Sequence, residues 1–306
     1  MRLGRNPEAL LSRVEWTLMR RLDGLLQGDY RTFFRGVGLD LAGLREYQPG
    51  DDVRHIDWNI TARLSTPYVR QYNEDRDVTV WFLLDLSRSV DFGSGRGGRV
   101  TKREVIVDLL ATLAGLFTRR GNRAGALFFD GVNVDALPAG GGRRHLLNLI
   151  DDADGFTSTA TGKETQLSLL LDAAHRLVRR RSLIFVISDF ATVPGWERSL
   201  GILAQRHEVI SVQVSDPAEE RIPRLGLVYM EDAETGEQLL VDAGNPGFQR
   251  RFAAEVEARK RAIEDGLVRA GVDGFEVSTE DDMVATLLQF VQARARAGTT
   301  RRGVAR

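Results

Sequence analysis

Asp85, Ser87 and Ser89, in the stretch LLDLSRSV, set one acid and two hydroxyls at two-residue spacing. They close VTVWFLLD (78–85), a continuous apolar run that ends in an acid. Such a run has the pattern of a strand buried on both faces. A loop turning back over that strand end brings all three oxygens to face one point. Hard oxygen donors of this kind suit Mg²⁺, which prefers octahedral oxygen coordination, retains waters and uses only one or two carboxylates. An ion held this way is underneutralised, and keeps affinity for a further carboxylate or phosphate from outside. A second apolar run, SLIFVISDF (182–190), carries an acid at its end too, Asp189. Ser and Asp also cap helices, so the spacing by itself leaves a capping role open.

The elements that must position these groups follow from hydrophobic patterning. From residue 78 onward, strands alternate with helices. Helices are predicted at 101–120, 143–154, 165–181 and 195–207, and strands at 124–130, 182–190 and 208–215. GLVYMED and QLLVDAG read as a hairpin, followed by a helix at 247–270, the strand FEVST and a helix at 282–297. This alternation predicts an α/β fold, a doubly wound, mostly parallel sheet flanked by helices. Ligands of such sheets bind outside the carboxyl ends of the strands, at a topological switch point. Ahead of it, Leu11, Val14, Leu18, Leu22 and Leu25 recur at three- and four-residue steps and predict an amphipathic helix over 8–27. The expected organisation is an N-terminal amphipathic helix (1–29), a small β-rich segment (30–75), the α/β domain (76–297) and a basic, disordered tail (298–306).

Composition excludes several chemistries. The chain has 306 residues, 42% apolar and 28% charged, with a net charge of −1, so no global field draws it to nucleic acid or anionic membranes. The absence of cysteine removes disulfides, zinc–thiolate sites, iron–sulfur clusters and thiol nucleophiles. Lysine occurs only at 102, 163 and 260, against a large majority of arginine. The opening residues lack the apolar core of a signal peptide, and no apolar run reaches the roughly 20 residues of a membrane helix. A cytoplasmic, soluble protein is expected. GSGRGG (93–98) does not follow its strand directly, as a dinucleotide fingerprint must. There is no P-loop and no G-x-S-x-G elbow, and the histidines at 55, 145, 175 and 207 show no metal-ligand spacing. A metal-dependent phosphoryl-transfer enzyme using Asp85 is the alternative. It needs a second acid two residues on to handle the leaving group's proton, and that position is Ser87.

The constellation resembles the metal-ion-dependent adhesion site of von Willebrand factor A domains: D-x-S-x-S, then a distant Thr, then a distant Asp. Asp85, Ser87 and Ser89 match the first part, Thr165 in GKETQLSLLLDAA the Thr, and Asp189 the last Asp. The context departs from the familiar one. Lys163-Glu164-Thr165 stands for Gly-Gly-Thr, and Ser188-Asp189-Phe190 for Thr-Asp-Gly. The resemblance implies that these five residues hold Mg²⁺, or Mn²⁺ or Ca²⁺, directly or through water.

Residues 44–74 carry a second constellation. Ile56, Trp58 and Ile60 alternate, as do Tyr68, Arg70 and Tyr72, with STP between, which predicts two short strands. Asp57, Arg54, Arg63 and Arg70 have the charges to pair as a structural brace, or to extend the metal face as a docking surface. Tyr47, Gly50, Asp51, Asp52, Arg54, Ile56, Asp57, Trp58, Ala62 and Arg63, with Arg70 and Glu74 beyond, resemble the signature of the domain-of-unknown-function 58 family. In that family a Y-x-x-G-D-D-x-R-x-I-D-W-x-x-x-A-R block precedes a von Willebrand A-like domain; Val90 stands where it often has Met. The resemblance implies a non-enzymatic, metal-dependent protein-binding adaptor. It would act with a MoxR-type AAA+ ATPase in chaperone-like maturation or assembly of client proteins. The ion would take an acidic residue of the ATPase or the client. A vestigial site is a further alternative.

Overall fold

Seven residues, Thr79–Asp85, form the centre of the sheet in the computed structural model of the chain, as their unbroken apolar pattern requires. The structure describes residues 79–94, 100–119, 121–160, 163–223, 226–231 and 236–303. In the N-terminal part it describes 7–8, 11, 41–48, 56, 58–64 and 66–72. In chain order the elements are β1 (Leu41–Glu46), α1 (Trp58–Leu64), β2 (Tyr68–Tyr72), β3 (Thr79–Asp85), α2 (Lys102–Thr118), β4 (Arg123–Phe129) and β5 (Val134–Gly140). Then come α3 (Arg143–Gly155), α4 (Leu167–Leu177), β6 (Leu183–Ser188), α5 (Trp196–Arg206), β7 (Glu208–Ser215) and α6 (Pro217–Glu220). The hairpin β8 (Leu227–Glu231) and β9 (Gln238–Asp242), then α7 (Pro246–Ala270), β10 (Asp273–Ser278) and α8 (Met283–Gly303), complete the order.

Six strands form the main sheet in the order β10-β7-β6-β3-β4-β5. All pairings are parallel except β4 with β5. From β3 the chain winds outward through β4 and β5, then returns to place β6 on the other side of β3, with Leu84 level with Ile187. The switch point therefore lies between β3 and β6, the two strands whose ends carry Asp85 and Asp189.

Alternate residues of each strand feed two cores. On one face Phe82 and Phe185 stack at 5.6 Å, and α2, α3 and α8 cover them with Ile106, Leu110, Phe117, Leu149 and Leu287. On the other, Leu83, Leu127, Ile184 and Val186 meet α4, α5 and α7 through Leu170, Leu200 and Ile263. A strand that buries both faces must be apolar at every position, which is why β3 and β6 read as continuous runs.

Three features differ from expectation. Strand β5, VDALPAG, has no apolar run; it is the antiparallel edge, where half the side chains meet solvent and Pro138 is tolerated. Residues 58–64 form α1, and β2 pairs with β1 instead of a strand at 56–60. Ile60 and Leu64 are four apart and satisfy helical spacing, while Ile56 stays outside α1 in a β-bridge. The Thr61 hydroxyl then accepts from Tyr68 N at 3.1 Å, joining α1 to β2. Helix α8 continues to Gly303, through most of the expected tail.

Of the amphipathic helix expected over 8–27, the structure describes Glu8 and Leu11. Both are helical, and Leu11 is buried in the core beside Gly115. Among the described residues no helix is long and apolar enough to cross a membrane.

Candidate metal centre

The loop after β3 turns back over the sheet edge, as the D-x-S-x-S spacing suggests. Leu86 N donates to Phe129 O at 2.8 Å and so continues the β3–β4 ladder by one residue. Ser87 N then turns inward to donate to Asp85 Oδ1 at 3.1 Å, and residues 88–91 close into a 3-10 turn. The Ser87 and Ser89 hydroxyls lie 3.2 Å apart. Arg103 locks this loop from below, donating to Asp91 Oδ1 at 2.5 Å, Leu86 O at 2.8 Å and Phe156 O at 3.2 Å. Asp85, Ser87 and Ser89 are all buried.

Thr165 sits two residues before α4. Its carbonyl accepts from the Thr192 hydroxyl at 2.8 Å and from Val193 N at 3.0 Å. Gln166 N donates to Gly131 O at 3.1 Å, tying this segment to the turn after β4. Gly131 has φ +106°, and a Cβ there would lie 3.2 Å from Thr165 Oγ1 and 3.6 Å from Ser87 Cβ. The glycine thus leaves a small cradle beside both side chains, and the structure brings Thr165 to the Asp85–Ser87–Ser89 cluster.

Asp189 follows β6, next to Asp85, but is not free. Its Oδ2 accepts from Lys102 Nζ at 2.6 Å and its Oδ1 from Ala191 N at 3.0 Å. The next residue, Phe190, has φ 54°, in the left-handed region that a glycine adopts without strain. That explains the glycine familiar at this position. Here Phe190 N donates to Ser188 Oγ at 2.9 Å and the ring packs on Trp196 at 4.9 Å, which holds the strained turn. Ser188 Oγ in turn donates to Asp85 Oδ2 at 2.7 Å.

The two acids have opposite electrostatics. Burial, and then the charge of Asp189, push the Asp85 carboxyl up to about 6, against the pull of its hydrogen bonds from Ser188 and Ser87. Burial also works against Asp189, but the Lys102 ammonium outweighs it and holds this carboxyl below the ordinary carboxylate range. Lys102 itself is wholly buried and also donates to Glu219 Oε1 at 2.6 Å. Burial disfavours its charge, yet the two carboxylates raise its pKa above the ordinary value. Glu219 is the weaker partner: burial raises its pKa despite Lys102.

The donor set fits a small hard cation. It offers one buried carboxylate that pairs with no cationic side chain among the described residues, together with three hydroxyls at the switch point. Among those residues there is no group of three or more His, Cys, Asp or Glu side chains that could hold a metal. An ion here would therefore rest on hydroxyls and Asp85, the pattern of Mg²⁺ with retained waters. Beside the centre opens a cleft of about 1040 Å³, lined by Ser89, Phe92, Glu219, Met230, Leu239 and Phe248.

The residues that sequence reasoning missed are Lys102, Gly131, Thr192 and Glu219. Lys102 left a faint signal, as one of three lysines in an arginine-rich chain. His145 is structural: its Nε2 lies 2.7 Å from Ala124 O. In the 44–74 block, Tyr47 is half-buried, Trp58 and Arg63 are exposed, and Arg70 pairs with Leu44 in the β1–β2 register. Asp51, Asp52, Arg54, Asp57 and Glu74 lie outside the described residues.

A doubly wound, mostly parallel six-stranded sheet flanked by helices, with an oxygen-rich cluster at its switch point, defines the chain as an α/β protein. Residues 43–262 match the family described as "Protein of unknown function DUF58", and the chain belongs to that family. Uncharacterized proteins of Mycobacterium tuberculosis and Mycobacterium bovis are each 34% identical to it over 290 residues, covering 94% of this chain and 90% of theirs. Among solved structures, the conserved hypothetical protein BatB of Bacteroides thetaiotaomicron is 18% identical, with a TM-score of 0.46, over 72% of this chain and 99% of its own. An aerotolerance-related membrane protein of Bacteroides fragilis is 16% identical at the same TM-score of 0.46 and the same coverage, 72% and 99%.

Proposed function

We propose that the chain is a divalent-metal-dependent protein-binding adaptor, not an enzyme, that acts with a MoxR-type AAA+ ATPase in chaperone-like maturation or assembly of client proteins. Asp85, Ser87 and Ser89 would hold Mg²⁺, or Mn²⁺ or Ca²⁺, with Thr165 and Asp189 contributing directly or through water. The bound ion would supply a cationic coordination position open to an acidic side chain of the ATPase or the client. The protein would work in the cytoplasm.

The observation that supports this reading most is the state of Asp85. It is a fully buried carboxylate at the switch point, ringed by hydroxyls and raised to about 6 by its burial and by Asp189. Such a group is unfavourable as a bare charge, and a cation offsets that. The site also lacks the machinery of phosphoryl transfer through Asp85: two residues on stands Ser87, which cannot act as a proton donor and acceptor near neutral pH. The cleft beside the centre would receive the segment that carries the partner's acid.

Capture of a purified MoxR-type ATPase on the immobilised chain tests the reading. Capture in Mg²⁺, lost in EDTA and in Asp85→Ala, is the expected result, with no phosphoester hydrolysis by either form. Hydrolysis of p-nitrophenyl phosphate that disappears in Asp85→Ala would instead support the phosphoryl-transfer enzyme. Capture indifferent to both metal and substitution would make the site vestigial.

A further inference from the structure

Lys102 is fully buried at the first residue of α2, between two carboxylates: Nζ lies 2.6 Å from Asp189 Oδ2 and 2.6 Å from Glu219 Oε1. Neither contact is an accident of a flexible surface chain. The Thr101–Glu104 capping box fixes the start of α2, and Lys102 N donates to Phe92 O at 3.0 Å. Glu219 is set by a separate latch. Asp216 caps α6 through Ala218 N at 2.9 Å, and accepts from Ser94 N at 2.7 Å, from the Thr279 hydroxyl at 2.7 Å and from the Ser94 hydroxyl. The lysine therefore bridges the metal centre on one side and the cleft wall on the other. With Ala191 N on Asp189 Oδ1, both oxygens of Asp189 are engaged by the protein itself. A buried ammonium is tolerated only when paired and hydrogen-bonded, so this arrangement is a fixed charge in the fold.

We propose that Lys102 is a built-in counter-charge of the metal centre. It holds Asp189 out of direct contact with the ion, leaving it to act through water, and keeps the centre short of negative charge, so that bare metal binds modestly and an external carboxylate completes the site. This rests on the metal-binding reading above and adds a positioning residue to it. With a divalent ion beside Asp85, the charges of ion and lysine balance those of Asp85, Asp189 and Glu219. Removing Lys102 leaves the cluster one charge more negative. Removing the charge of Glu219 leaves it one charge more positive. A more negative cluster holds the cation more tightly and repels an incoming carboxylate; a more positive one does the reverse. At a separation of a few ångströms in a partly wet site, one unit charge acting on a divalent ion changes binding by about tenfold or more.

The test compares wild type, Lys102→Met and Glu219→Gln as full chains. Mg²⁺ affinity is read by isothermal titration, and acetate affinity by water-proton relaxation of the Mn²⁺-loaded protein. The expected order of Mg²⁺ affinity is Lys102→Met above wild type above Glu219→Gln, in steps of about tenfold. The expected order of acetate affinity is the reverse. A brace without an electrostatic role would weaken both affinities together in Lys102→Met, and that result overturns the proposal. So does a Glu219→Gln variant that shifts neither affinity, or shifts both in one direction. Glu219 is partly exposed, so Glu219→Gln decides the matter even where Lys102→Met does not fold. If wild type itself binds no Mg²⁺, the metal-binding reading falls and this proposal with it. If wild type binds and the variants do not split, only the counter-charge falls.

Discussion

Replacing Asp85 with Asn isolates what a lone buried carboxylate does to the metal-free fold. Asp85 is fully buried and receives two neutral hydrogen bonds, from Ser87 N at 3.1 Å and Ser188 Oγ at 2.7 Å. Burial and the charge of Asp189 raise its pKa from 3.8 to about 6. Between those values the folded protein binds more protons than the unfolded chain, so this group's contribution to stability falls as pH rises, and above the folded value the whole penalty stands. A rise of about 2 units corresponds to about 3 kcal/mol. The amide has the same shape, accepts from Ser87 N, donates to Ser188 Oγ and carries no charge. In EDTA at neutral pH, Asp85→Asn is therefore expected to be more stable than wild type by about 2–3 kcal/mol. Mg²⁺ should then stabilise wild type and leave the variant unchanged, because only a ligand bound by the native state adds stability. Urea unfolding followed by tryptophan fluorescence, in EDTA and in excess Mg²⁺, measures both. A variant less stable than wild type in EDTA, or equal stabilisation of both by Mg²⁺, would refute the reasoning.

Three further outcomes follow from other parts of the structure. Gly131→Ala places a Cβ 3.2 Å from Thr165 Oγ1 at φ +106°; it should lower stability by about 1–2 kcal/mol and weaken Mg²⁺ binding in calorimetry, while far-ultraviolet circular dichroism stays native. His207 is buried with neither ring nitrogen hydrogen-bonded among the described residues, and burial, then Arg206 and His175, depress its pKa from 6.5 to about 4. The unfolded chain takes up the proton first, so stability is complete above the unfolded value and falls as pH drops, by about 2 kcal/mol at pH 5; His207→Leu should flatten that slope in urea titrations at pH 7.5 and 5. Phe190→Gly relieves a left-handed phenylalanine, worth about 1–2 kcal/mol, but removes a buried ring worth about 3–5 kcal/mol. Thermal unfolding should therefore show net destabilisation.

The readable parts of the sequence were those where burial on both faces left no choice of residue. The interiors of β3 and β6 are apolar because α-helices cover both sides of them, and Asp85 at the end of β3 and Asp189 just past β6 stand where that cover stops. Asp85, Ser87, Ser89 and Thr165 converge as their spacing and the family resemblance suggest. β5 was hidden because an edge strand needs few apolar residues, and α1 because Ile60 alternates with Trp58 and also stands at helical spacing to Leu64. The pairing of Asp189 was hidden for a different reason. Lys102 lies 87 residues away along the chain, and a buried ion pair between distant elements leaves no periodic trace. Phe190 likewise gives no sequence sign of its left-handed turn, since its ring is used for packing on Trp196.

The most direct test of the account is isothermal titration of Mg²⁺ into the metal-free chain and into Asp85→Ala. Saturable binding at one site in wild type, absent from a folded Asp85→Ala, is the predicted result. No binding, or equal binding by both, would contradict the assignment of Asp85, Ser87, Ser89, Thr165 and Asp189 as a metal centre.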